Sequence, residues 1–453
     1  MLQETVNSKQ YAVSSGQKAE KKRRYGETGK RRFLFTDSPI RRFSHSQISL
    51  LTACCLLLTV FTGCTGGQIA KTEIKSLPWQ THLFNKERQG RTEDTVMPPP
   101  TLSTSYKIAG AAIFKFFVPY MPTEYSSPAI DDNTIYVGSA DKYFYAIDLR
   151  KGKKVWEFST TGAVESSPTV SDGRVYFGTG DGILYCLDSK DGREIWRFQA
   201  KTEITSSPVV EGGVVYFNSA DDKLYALKSE TGEKLWQYNR AYVKKVVRRM
   251  FASPAIYEDK IYCSFTDGYI VTLEKSSGRE IWQKRVAGEG RAETARFTPT
   301  IDDGVAYLIN GDGFLIALDA KNGEEKWRFN IIKISDFTVS SGYMVIAGYD
   351  GSIIAMKKLS GEIIWRRKVS QGIPVSLIAA GEYLVVTSNY KIETFFSSTI
   401  GSYMDMFDMN NGKKIWNENI DSTTSASLAA AYNHLFLVTD KGYLRIYKSE
   451  MRN

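Results

Sequence analysis

Two stretches decide the fold: SSPAIDDNTIYVGSADKYFYAIDLRKGKKVWEFS at residues 126–159 and SSPTVSDGRVYFGTGDGILYCLDSKDGREIWRFQ at residues 166–199. They align without a gap at an offset of 40 residues. Each holds four short apolar runs separated by Asp-Asn, Asp-Gly, Asp-Lys or Lys-Gly pairs. Such pairs tolerate the φ > 0 conformations of tight hairpins. Short alternating runs between turn residues predict antiparallel strands, four to a unit.

The phrase recurs along the chain. Seven of the eight tryptophans (Trp156, Trp196, Trp236, Trp282, Trp327, Trp365 and Trp416) each follow a glycine by four residues. Five units begin with Ser-Pro or Thr-Pro, at Pro128, Pro168, Pro208, Pro254 and Pro299, each 28 residues before its tryptophan. Four-stranded sheets repeating about every 40 residues predict a β-propeller. Seven units are complete, and an eighth, Ser427–Lys448, stops after its third strand. The expected fold is therefore all-β, an eight-bladed propeller of four-stranded antiparallel blades. A ring must hide its last edge, so an N-terminal strand near Thr101–Ala109 is expected to complete the final blade. Seven blades and an odd tail are the alternative.

Over roughly residues 77–450 these features resemble the PQQ-repeat, or tryptophan-docking, propellers. The segment LPWQTHLFNKERQGRT (77–92) is similar to that family's lead-in, and Thr104 stands where an eighth docking tryptophan is expected. The tryptophans are read as packing groups, each burying a large ring between blades, with no cofactor role.

Composition adds a leader. The net charge of +9 is concentrated in residues 1–63, which carry 11 basic and 4 acidic side chains. The remainder, with 48 and 46, is close to neutral, which argues against a nucleic-acid binder. Residues 48–62, ISLLTACCLLLTVFT, follow basic clusters and span only about 22 Å as a helix, too short to cross a bilayer. That pattern reads as a secretory signal. It ends Phe61-Thr62-Gly63-Cys64, which resembles a bacterial lipobox, with Phe61 in place of the usual Leu. The resemblance makes Cys64 the lipidated first mature residue and, with Thr65 following, implies the periplasmic side of the outer membrane. The expected organisation is a signal over 1–63, a lipidated linker and lead-in over 64–100, and the propeller over 101–450. Two cysteines reach the body, Cys186 and Cys263, both in strand-like apolar runs that predict buried free thiols.

Some relatives of this fold are quinone-dependent dehydrogenases, which the resemblance ties to a carboxylate base, a calcium-bound quinone and an adjacent cysteine pair. Here the one adjacent pair, Cys54-Cys55, lies in the signal, and no CxxCH haem motif occurs. His434 is the single histidine of residues 101–450 and reads as a surface turn residue. Asp181-Gly182, Asp267-Gly268, Asp312-Gly313 and Asp350-Gly351 lack the alternating acids of a calcium loop and read as hairpin turns. No phosphate loop, HExxH or GxSxG appears. The expectation is a binding scaffold without catalytic residues, cofactor or metal.

Function is expected where the chain departs from its own repeat. From tryptophan to the next proline the interval is 12 residues twice, then 18 after Trp236 and 17 after Trp282. About 11 further residues enter the hairpin between the second and third strands of the seventh unit, around Asn389–Tyr403. All three insertions are expected on one face. The first, RAYVKKVVRRMF (240–251), sets Val243, Val246, Val247 and Met250 at helical spacing among Lys244, Lys245, Arg248 and Arg249, beside Tyr242. Arginines around an apolar patch suit a protein contact through carboxylates. The second, RVAGEGRAETARF (285–297), carries Arg291 and Arg296.

A lipobox, eight blades and two long loops together resemble the BamB family of outer-membrane-protein assembly lipoproteins. That resemblance implies a monomeric, lipid-anchored propeller within a complex, binding the POTRA domains of a barrel-assembly partner. Its partner-binding arginine lies five residues before the fourth blade's proline, the place of Arg249 ahead of Pro254. The family's acidic contacts in the next loop have no counterpart, since Thr294 and Arg296 stand there. Two rival functions are a periplasmic or surface propeller that binds a small ligand or glycan in its channel, served by aromatics around Phe395–Tyr403, and a quinoprotein dehydrogenase.

Overall fold

The computed structural model describes residues 78–108, 126–240, 252–287, 298–393 and 398–449. Their regular structure is all strand, arranged as eight antiparallel sheets. Blade 1 runs Ala129–Asp131, Thr134–Gly138, Tyr143–Asp148 and Lys153–Ser159, each strand pairing with the next. The innermost strands of blades 2 to 8 begin at Thr169, Val209, Ala255, Thr300, Ile334, Ile373 and Ala429. Neighbouring innermost strands pack against one another and so line a central channel. Apolar side chains of each sheet bury against the next blade, as with Phe144 stacked on Phe177 at 4.0 Å. This is the burial that period-two alternation demands.

The turns behave as their residues predict. In the first hairpin of blade 2, Asp172 and Gly173 have φ of 51° and 70°, the pair of left-handed residues that a two-residue hairpin needs. The four Asp-Gly pairs are likewise turns, with glycine φ between 78° and 84°.

The ring closes as the sequence requires. Thr101–Lys107 pairs antiparallel with Tyr443–Lys448 as the outermost strand of blade 8, so eight blades and not seven complete the circle. In every blade the outermost strand bulges just before the docking position, between Glu194 and Trp196 in blade 2 and between Leu102 and Thr104 in blade 8.

Six of the tryptophans lie over a glycine of the following blade. A Cβ built on Gly192, Gly232, Gly278, Gly323, Gly361 or Gly412 would fall 2.5–3.7 Å from a ring atom of Trp156, Trp196, Trp236, Trp282, Trp327 or Trp365. At five of these only glycine leaves room for the indole, whereas Gly361 stands at ordinary contact distance from Trp327 and is favoured by its positive φ alone. For Trp156, Trp196, Trp282, Trp327 and Trp365 the indole N–H donates to a carbonyl, Trp196 to Ser229 at 3.0 Å and Trp365 to Met409 at 2.9 Å. Trp416 differs, because blade 8 has no continuous turn at this place. Its ring meets Tyr447 edge-on at 6.4 Å. The rings thus pack against the neighbouring blade. Cys186 and Cys263 are free and buried, as expected.

Candidate functional site: the two ends of the central channel

The lead-in is where the structure adds most to the sequence reading. Residues 79–94 circle one end of the channel and touch the innermost strands or their flanks in all eight blades, in blade order except at blade 3. The carbonyls of Trp79, Gln80, Lys86, Glu87, Gln89 and Gly90 accept N–H groups of Ile130, Val170, Ile256, Ile301, Val339 and Ala379, in blades 1, 2, 4, 5, 6 and 7. Arg88 serves blade 3, its Nη2 donating to the carbonyls of Ser207 at 3.1 Å and Pro208 at 2.9 Å. Asp94 serves blade 8 by accepting the Tyr432 N–H at 2.8 Å. Arg91–Thr92 also adds a parallel fifth strand inside blade 7.

Two buried polar groups anchor this segment. Arg88 is 1% exposed and donates also to Thr81 Oγ1, the His82 carbonyl and the Pro254 carbonyl. All of its acceptors are neutral, and burial pulls its pKa down to about 9. At blade 5, Gln89 Nε2 donates to Asp302 Oδ1 at 2.9 Å, and the buried Lys358 ammonium bridges Asp302 and Asp303. Interior pairs of this kind are kept only when their remaining hydrogen bonds are satisfied.

Most of the lead-in's partners lie at the downstream end of the innermost strands, beside the turns to the second strands. The lead-in therefore closes that end. The opposite end carries the connections from each blade to the next and the hairpins between second and third strands, which are the sites of all three insertions.

The expected contact residues Tyr242, Lys244, Lys245, Arg248, Arg249, Arg291 and Arg296 lie outside the described residues, as does Cys64. The residues that root the two insertions are described. Arg240, at the start of the first, pairs with Asp267 at 2.6 Å and lies 4.4 Å over the Tyr269 ring, both in blade 4. Its N–H donates to the Asp222 carbonyl at 3.1 Å. Beyond the insertions, Ser253 N–H donates to Thr298 Oγ1 at 3.0 Å. The chain following each of the two insertions is thus joined side by side at Ser253 and Thr298.

The third insertion is a β-ribbon. The second and third strands of blade 7 each run 11 residues, Tyr383–Glu393 and Ser398–Asp408, paired from Tyr383–Asp408 to Glu393–Ser398. Tyr390 and Tyr403 face each other on it with ring centres 5.4 Å apart and planes tilted by 40°. Neither aromatic lines the central cavity. Phe395 lies outside the described residues.

One expectation needs correction. His434 is not a surface turn residue: it opens a strand, half-buried, with Nδ1 2.6 Å from the Tyr432 carbonyl and its pKa lowered by burial. The turn itself is Tyr432-Asn433, both at positive φ. Sequence reasoning also placed no weight on His82, in the lead-in. It lines the channel, and burial beside Arg88 lowers its pKa to about 3.

Among the described residues, no group of three or more His, Cys, Asp or Glu is placed to hold a metal ion. The carboxylates lining the channel are Glu165 and Asp336. Burial raises the Asp336 pKa to about 7, opposed by the N–H groups of Leu377 and Phe337 that it accepts at 2.9 Å.

A family model described as outer membrane protein assembly factor BamB matches residues 121–203, 140–328 and 312–402. No curated protein matches the chain. Among solved structures it is similar to BamB from Moraxella catarrhalis, 18% identical with a TM-score of 0.60 over 78% of this chain and 99% of that one. The quinohemoprotein alcohol dehydrogenase of Comamonas testosteroni is 13% identical with a TM-score of 0.66, over 83% of this chain and 81% of that one. A europium-containing methanol dehydrogenase is 11% identical with a TM-score of 0.65, over 82% of this chain and 98% of that one. At these identities the structural likenesses establish the propeller and nothing finer.

Proposed function

Because the chain belongs to the family of the outer membrane protein assembly factor BamB, we propose that it is a non-catalytic scaffold of outer-membrane barrel assembly. It is lipidated at Cys64 after removal of residues 1–63 and held at the periplasmic side of the outer membrane. It docks a POTRA-bearing barrel protein through the end of the propeller that carries residues 241–251 and 288–297.

The observation that supports this reading is the Ser253–Thr298 hydrogen bond, which joins the described residues that follow the two insertions. The opposite end is filled by the chain's own lead-in. Lys244, Lys245, Arg248, Arg249, Arg291 and Arg296 would gather around Tyr242 and the apolar residues of the first insertion. A cationic rim on an apolar centre suits an acidic protein surface, with charge setting encounter rate and register. The guanidinium fork would give Arg248 and Arg249 bidentate pairing with carboxylates.

The test is titration of the purified mature protein with a POTRA fragment of the barrel partner. Arg248→Glu/Arg249→Glu is expected to weaken binding at least tenfold, about 1.4 kcal/mol, with melting unchanged. Equal affinity in the variant would refute the docking face.

A further inference from the structure

The open end of the channel holds a cavity of about 220 Å³. Ten of its sixteen lining residues are serine or threonine. Five of these form an arc fixed by neighbouring blades. Ser127 Oγ accepts the Ser427 N–H at 2.9 Å, and Ser167 Oγ accepts that of Ser127 at 2.9 Å. Ser207 Oγ accepts from Ser167 at 3.2 Å, Ser253 Oγ from Ser207 at 2.8 Å, and Thr298 Oγ1 from Ser253 at 3.0 Å. A hydroxyl oxygen that accepts retains its own proton for donation. The blades thus pre-position five O–H groups around the cavity, from blade 1 to blade 5.

The arc stops at blade 6. There Asp336 occupies the corresponding place and its carboxylate takes the Leu377 N–H of blade 7. Phe337 lines the cavity beside it, with Val375 next along. The floor is His82 and Leu83 of the lead-in, and Arg88 donates to the His82 carbonyl at 2.8 Å.

Charge narrows the ligand. An anion entering the cavity meets the carboxyl groups of Asp336 and Glu165, and a cation meets the field of the Arg88 guanidinium, which lies buried behind the His82–Leu83 floor, not in the wall itself. A molecule with oxygens to accept from the arc, hydroxyls to donate to the carboxylates and a face to rest on Phe337 matches every wall. The volume lies below the roughly 300–1,000 Å³ of sites for drug-sized ligands. We propose that the channel mouth binds a small neutral polyol of single-sugar size, through Ser127, Ser167, Ser207, Ser253 and Thr298, with Phe337 as its apolar wall. This site is independent of the docking reading and opens at the same end of the propeller.

The test is calorimetric titration of the full mature protein, in a sugar-free detergent, with D-glucose, N-acetyl-D-glucosamine and myo-inositol. Inorganic phosphate and L-lysine serve as the charged arms. At least one neutral probe is expected to bind at millimolar concentration or below, with phosphate and lysine silent. Val375→Phe, which fills the cavity, should abolish that binding. Thr298→Val should weaken it roughly five- to tenfold, as the loss of one hydrogen bond does, while Thr298→Ser retains it. Melting curves of the three variants verify folding, and if Val375→Phe does not fold the Thr298 pair decides. Silence from all three neutral probes, binding of a charged probe alone, or undiminished binding in a folded Val375→Phe or in Thr298→Val would overturn the proposal.

Discussion

Thr104 rests on Gly152: a Cβ built on that glycine would lie 2.6 Å from the threonine Cγ2. The two residues are the first and last members of the docking series, since Thr104 belongs to blade 8 and Gly152 to blade 1. The contact joins the two ends of the repeat, and the side chain making it is the smallest in the series. Thr104→Trp should therefore extend the apolar contact across the seam and raise stability by about 1–2 kcal/mol in a denaturant melt. A lower midpoint in the variant would mean that the seam is packed around threonine and has no room for the ring.

The standard joint predicts the opposite sign. Trp196 is 8% exposed, and its N–H and the Tyr176 hydroxyl share the Ser229 carbonyl. Trp196→Ala should cost about 3–5 kcal/mol, the range for a large-to-small core change. Gly232→Ala should cost about 1–2 kcal/mol, because φ is +74° and the new Cβ would stand 2.7 Å from the indole. Chemical denaturation of both variants measures the two costs.

Arg88 ties the lead-in to blades 3 and 4 through five acceptors of fixed position. An ammonium has three donors and no planar fork. Arg88→Lys should consequently destabilise by about 2–4 kcal/mol, the cost of leaving buried carbonyls unpaired. Limited proteolysis should then cut within residues 78–97 before any blade. A variant that melts and cleaves like the parent would contradict the anchoring role.

The raised pKa of Asp336, about 7, has a definite sign. Between its ordinary value near 4 and 7, the folded protein holds a proton that the unfolded chain has lost. Stability from this group is therefore greatest below pH 4 and declines toward pH 7 by up to about 1.4 kcal/mol per pH unit, with no further change above. Asp336→Asn removes that dependence. Melts of parent and variant from pH 4.5 to 8 should converge or cross as pH rises to 7 and run parallel beyond it. Parallel curves throughout would show that the carboxyl titrates normally.

The ring was legible because its determinants are local and repeated. Glycine four residues before tryptophan, Asp-Gly turns and short alternating strands each act within one unit. Even the substitution of Thr104 was visible, as a gap in a regular series. The course of residues 79–94 was not, because their partners lie up to 338 residues away and follow no period of their own. Arg88 and His82 belong to that segment. Asp336 was equally obscure, since blade 6 lacks the Ser-Pro or Thr-Pro that marks the corresponding place in blades 1 to 5. The extra length of blade 7 was legible, whereas its form as a paired ribbon depends on register. For the candidate site, the intervals fixed where the insertions start and end, and the Ser253–Thr298 bond shows those ends together.

Docking through the insertion end is tested most directly by affinity purification from membranes. Lipidated wild type is compared with Arg248→Glu/Arg249→Glu, and co-purified proteins are identified by mass spectrometry. The account predicts a POTRA-bearing barrel protein recovered with wild type and lost with the variant, at equal amounts of folded propeller. Recovery of that protein in equal yield with the variant, or its absence from the wild-type sample, would contradict it.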